Sequence, residues 1–145
     1  MAITDLETFH QYVGETIMYC QCIENDIKWI YAGMHKGDEV SNFENLEKSK
    51  ATLGKVIGIL KELDNERDPY LSETDYELLR QVTAIRNHWV HKAYTEFVYC
   101  QDDVSRSREF TRQARRLEND HNRFDRLSQS IERVKLDVLK KYGRI

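Results

Sequence analysis

Helix breakers are scarce in this chain, with one proline, Pro69, and six glycines among 145 residues. So few interruptions exclude a turn-rich β fold and point to long helices. Cysteine is equally thin. Cys20, Cys22 and Cys100 are odd in number and lack metal-ligand spacing, which argues against both a disulfide framework and a structural zinc site. Reduced thiols of this kind fit a cytoplasmic protein. No stretch approaches the roughly 20 apolar residues needed to span a bilayer, so no membrane association is expected. The start, Met1-Ala2-Ile3-Thr4-Asp5, has neither the basic nor the apolar segment of a signal peptide. There is no glycine-rich phosphate loop and no Ser/His/Asp signature.

What the chain does have is charge, unevenly distributed. Charged residues make up 32% of it and apolar ones 40%, a globular composition. The net charge is −3. Residues 1–103 carry 10 Lys and Arg against 19 Asp and Glu, whereas residues 104–145 carry 12 against 6. A basic end segment can bind a polyanion or can be neutralised by the acidic remainder.

Apolar periodicity predicts an all-α, up-and-down four-helix bundle forming a single domain over residues 1–145, with a long C-terminal helix. The first helix is expected over about 5–35. Thr4-Asp5-Leu6-Glu7 reads as its capping box, and Leu6, Phe9, Val13, Ile17, Cys20, Ile23, Ile27 and Ile30 as its apolar stripe, with Lys36-Gly37 as the stop. The second starts near Ser41 and ends before Asp68-Pro69, because proline disfavours helical geometry in the residue before it. The third follows Ser72 and runs to about Tyr99 or Cys100. The fourth covers about 105–142, where Phe110, Leu117, Phe124, Ile131 and Val138 recur at seven-residue steps. Short connections imply antiparallel neighbours.

The chemistry-bearing segment is Arg86-Asn87-His88-Trp89-Val90-His91 on the third helix. Cleaving RNA without a metal requires a base for the ribose 2′-hydroxyl, an acid for the leaving 5′-oxygen and a cation for the charge on phosphorus. Histidine suits the first two tasks and arginine the third. At about 100° per residue, Arg86 and His91 point about 140° apart, while Asn87 and His91 share a face. One straight helix therefore does not bring Arg86 and His91 onto one phosphate, but two copies facing each other across a two-fold axis would.

Arg86-Asn87 followed by His91, on the third helix of a small helical protein, resembles the HEPN (higher-eukaryote and prokaryote nucleotide-binding) family. The resemblance covers most of the chain. It implies a helical homodimer acting as a metal-independent endoribonuclease, without cofactor, in toxin–antitoxin or phage-defence systems, sometimes beside an antitoxin protein. It assigns Arg86, Asn87 and His91 as the catalytic set, with a 2′,3′-cyclic phosphate and a 5′-hydroxyl as products. One branch of the family carries a modifiable tyrosine two residues after the histidine. Here that position is Ala93 and the tyrosine is Tyr94. His88 falls in the variable part of the motif and receives no role. The alternative is a non-catalytic HEPN-like module that binds a partner protein or a nucleotide, which the acidic net charge favours.

Arg108, Arg112, Arg115 and Arg116 on the fourth helix are candidate RNA contacts, since arginine matches phosphate geometry; ion pairing within the fold is the competing role. Trp89 lies on the apolar stripe and reads as core. Tyr12, Tyr31, Tyr76, Tyr94 and Tyr99 read as interface or boundary residues. Glu7-x-x-His10 and Glu118-x-x-His121 have the spacing of di-iron carboxylate bundles. With the first and last helices antiparallel and their ends aligned, however, His10 is level with about residue 137 and roughly 24 Å from His121, at about 1.5 Å per residue. No shared metal centre is then expected.

Overall fold

The computed structural model describes residues 2–64 and 69–145. The fold class is all-α: 81% of the described residues are helical and there is no strand among them. Six helices appear there, α1 (Leu6–Met34), α2 (Glu39–Ser49), α3 (Leu53–Leu63), α4 (Glu73–His91), α5 (Thr95–Val98) and α6 (Asp103–Lys141). None is long and apolar enough to cross a membrane.

The four expected helical segments are all present, but two of them are broken. The second divides at Lys50, which adopts a left-handed conformation with φ 54°. Ser49 donates its hydroxyl to the Leu46 carbonyl at 2.6 Å. Thr52 then caps α3 by accepting from the Lys55 N–H at 3.3 Å. α3 ends at Leu63; the stop expected just before Asp68 falls within 65–68, outside the described residues. The third segment breaks after His91. There the Thr95 hydroxyl donates to the Lys92 carbonyl at 3.3 Å, diverting it from the helical ladder.

The caps correct several boundaries. Asp5, not Thr4, caps α1, accepting from the Thr8 N–H at 2.7 Å. Asp38 caps α2 three residues ahead of Ser41, the expected start of the helix, and accepts from both the N–H and the hydroxyl of Ser41 at 3.0 Å. Asp102 caps α6, accepting from the Ser105 N–H at 2.7 Å. Those backbone N–H bonds hold all three carboxyls below their usual range. Ser72 and Asp75 form a reciprocal box, each side chain accepting from the other's backbone N–H at 3.1 and 3.4 Å.

The described chain divides into two compact units, 1–20 with 82–126, and 21–81 with 127–145. In the first, Ile3, Phe9, Val13, Trp89, Ala93, Phe97, Ala114 and Leu117 form the core. Phe9 is its hub, with ring centroids 6.3, 5.5, 5.5 and 5.4 Å from Trp89, Tyr94, Phe97 and Phe110. Leu6, expected on the inner stripe, is exposed instead.

In the second unit Ile23, Ile27, Ile30, Val56, Leu60, Leu79, Ile131 and Val138 are buried. Asn42 donates to the carbonyls of Ala32, His35 and Lys36 at 3.0–3.3 Å. Arg144 donates to those of Gly33 and His35 at 3.4 and 3.0 Å. Together they cap the Ala32 and Gly33 carbonyls at the open end of α1 and the His35 and Lys36 carbonyls just past it.

Within each unit, α1 and α6 run in the same direction. Phe9 meets Phe110 and Glu15 meets His121 in the first. Asp26 meets Lys135 and Gly33 lies beside Leu139 in the second. The antiparallel first and last helices assumed from the sequence are therefore overturned. His121 is level with Glu15, only about five residues from His10, or roughly 8 Å at about 1.5 Å per residue.

Tyr76 is also a correction. It is buried in the second unit and donates its hydroxyl to Asp64 at 2.8 Å. The same carboxylate accepts from the N–H groups of Tyr70 and Leu71 at 2.8 and 3.1 Å. Burial, then this hydrogen bond, push the Tyr76 phenol far upward. Losing one partner strands buried donors at about 1–3 kcal/mol each. Asp64→Ala is accordingly expected to destabilise the protein by about 3 kcal/mol, and Tyr76→Phe by clearly less, as read by urea denaturation.

Candidate functional site

The segment singled out in the sequence is the last turn and a half of α4, continuous helix from Arg86 to His91. Its orientation is set from the inner side. Trp89 is buried and donates its indole N–H to Asp120 of α6 at 3.0 Å. Asp120 also accepts from Arg123 at 3.0 Å. Arg116 lies 4.0 Å from the same carboxylate, with its guanidinium carbon 5.8 Å from the Trp89 ring centre. With Trp89 inward, helical geometry turns Asn87 and His91 outward. Both are exposed, and neither has a polar partner among the described residues.

Arg86 is half-buried and already engaged. Because α4 stays helical throughout, the angle of about 140° between Arg86 and His91 stands. The fold thus brings Asn87 and His91 together on one surface and sets Arg86 apart from them.

The four candidate RNA arginines lie exposed on α6. Arg108 and Arg112 both pair with Glu109, at 3.7 and 3.6 Å. Arg115 has no ion pair among the described residues. Arg108, Arg112 and Arg115 line an open depression with Val104, Ser107 and Thr111. Arg108, Arg112 and Arg116 are thus engaged in ion pairs within the fold, and Arg115 is not.

Tyr94 is half-buried, its ring against Phe9 and its hydroxyl 2.6 Å from Nδ1 of His10 on α1. Burial raises its pKa. A modifying enzyme would have to displace that hydrogen bond to reach the oxygen.

Sequence reasoning missed two further clusters. In one, His121 Nε2 lies 2.5 Å from Glu15, Nδ1 lies 3.4 Å from the Asn122 side-chain oxygen, and the ring stacks on Tyr12 with centroids 4.2 Å apart. The His121 bond holds the Glu15 carboxyl below its usual range. Only a correct α1–α6 register could have paired them. Among the described residues no three His, Cys, Asp or Glu side chains gather as metal ligands.

The other cluster surrounds His88, whose ring stands edge-on to Trp89 with centroids 4.6 Å apart. Its Nε2 and the side-chain oxygen of Gln113 are both buried without a well-formed hydrogen bond, although Gln113 lies close enough to favour the charged ring. Burial first, then Arg116, hold His88 below the ordinary imidazole range. Gln113, Asp120 and Glu96 act in the opposite sense and do not overcome them.

A histidine whose folded pKa is depressed binds its proton first in the unfolded chain, so stability rises with pH there. The contribution is complete above about pH 6.5, the ordinary imidazole value, and declines as pH falls toward the folded value. Thermal melts between pH 5 and 7 should show stability rising with pH, and His88→Asn should flatten that rise. An unchanged slope in the variant would refute this assignment.

Comparison of the chain with family models, with curated proteins and with solved structures returned no match.

Proposed function

We propose that the chain is a metal-independent endoribonuclease of HEPN type that works as a homodimer. The observation carrying this reading is the outward pair Asn87 and His91 on the last turns of α4, without polar partners among the described residues, beside Arg86 in the same motif. A histidine held outward on a rigid helix is free to exchange protons with a ligand. His91 acts as general acid or base, Asn87 positions phosphate or imidazole, and Arg86 of a second copy stabilises charge on phosphorus. The 140° separation is what calls for the second copy. Arg108, Arg112, Arg115 and Arg116 supply the electrostatic track for the RNA backbone. The setting we infer is cytoplasmic defence, with an antitoxin-like protein as a further partner.

The test is cleavage of mixed RNA with EDTA present. Wild-type protein should yield 2′,3′-cyclic phosphate ends, and His91→Ala and Arg86→Ala should each lower the rate about 10²–10⁴-fold, the usual worth of a positioned catalytic group. Activity surviving both substitutions would remove the assignment. A folded wild type that does not cleave would instead identify a non-catalytic module that binds a partner protein or a nucleotide, the reading that the acidic net charge favours.

Arg115→Ala tests the track separately. It should weaken binding evenly across sequences and reduce the slope of log affinity against log salt by about 0.7 for single-stranded RNA. A slope equal to wild type would exclude Arg115 from the interface.

A further inference from the structure

Three observations converge on His88. The first is position. His88 and His91 stand three residues apart on α4, so their Cβ atoms are neighbours about 5–6 Å apart on the helix surface. The site therefore carries two imidazoles side by side in one chain, one exposed and one half-buried.

The second is an unmet hydrogen bond. Buried polar atoms in folded proteins are almost always paired, and each exception calls for a reason. Here His88 Nε2 and the Gln113 oxygen are two such exceptions, close together on facing helices. Nε2 is a buried nitrogen without a partner. A neutral imidazole that keeps its proton there carries its lone pair on Nδ1.

The third is the charge around the ring. The charges that act on it are Arg116 and Asp120 of α6 and Glu96 of α5, with the Gln113 amide of α6 beside it. Asp120 is committed to Trp89 and Arg123. Arg116, held over the Trp89 face, is the cation that acts on the ring.

We propose that His88 is the second catalytic acid–base group of this site, with Gln113 fixing its ring and His91 as its counterpart. The proposal rests on the ribonuclease reading above and deepens it. His88 Nδ1 takes the proton of the attacking 2′-hydroxyl. The 2′-oxygen bonds to phosphorus, the bond from phosphorus to the 5′-oxygen breaks, and a protonated His91 delivers its proton to that leaving oxygen. One proton is gained by His88 and one lost by His91, and exchange with water restores both. Each chain then supplies both proton-transfer groups, and the second copy is needed only for Arg86.

The experiment is cleavage of a labelled single-stranded RNA in EDTA from pH 5 to 8. Long-range proton–nitrogen NMR of the histidines and binding of a 2′-O-methyl RNA, which lacks the reacting hydroxyl, are measured alongside. The wild-type rate should fall as His88 protonates. His88→Gln should lower kcat about 10²–10⁴-fold, erase that acidic limb and leave 2′-O-methyl RNA binding unchanged. Gln113→Glu, which sets a carboxylate behind Nε2, should move the limb and the His88 titration to higher pH together, and it serves where His88→Gln fails to fold.

An active wild type whose pH profile is the same in His88→Gln overturns the role of His88 and leaves the ribonuclease reading intact. If His88→Gln does not fold, an active Gln113→Glu whose limb stays put while the His88 titration moves overturns it equally. A folded wild type inert at every pH overturns both readings.

Discussion

One buried hydrogen bond governs how the candidate site faces the solvent. The indole N–H of Trp89 is bound to Asp120 inside the first unit, where neither group has water to turn to. A buried indole needs an acceptor and a buried carboxylate needs donors, so each fixes the other. The bond sets the rotation of α4 against α6, and rotation decides which residues of a helix look outward. Asn87 and His91 are exposed because Trp89 is not. The same carboxylate also pairs with Arg123 and lies 4.0 Å from Arg116.

Periodicity made the helical class, the long α6 and most of its core positions legible. Leu117, Phe124, Ile131 and Val138, chosen by seven-residue spacing, are fully buried. The break at Lys50 was not legible, since no glycine marks it and the left-handed turn is made by a lysine between Ser49 and Thr52. That one turn splits a helix and accompanies the parallel pairing of α1 with α6 that the sequence argument did not anticipate. The caps illustrate a smaller ambiguity. Wherever aspartate lies close to serine or threonine, either can cap, and at α1 and α2 aspartate does.

For the site, the residue types and the shared face of Asn87 and His91 were visible from spacing alone. The environment of His88 was not. Its neighbours Gln113 and Arg116 lie on another helix, and only packing reveals that the ring is half-buried with one nitrogen orphaned. Tyr94 was likewise visible as a residue but not as a hydrogen-bond partner of His10, 84 positions earlier. Spacing along one helix reports neighbours on that helix; it says nothing of what faces them.

The carbonyl end of α1 gives the fold a schedule. Its capping groups arrive at different times during synthesis: Asn42 follows within a few residues, but Arg144 lies 111 positions beyond Gly33. Chains emerge at roughly 5–20 residues per second, so the end of α1 waits on the order of 5–20 seconds for its second cap. Completion of the carbonyl end of α1 is therefore coupled to delivery of the residues that follow α6.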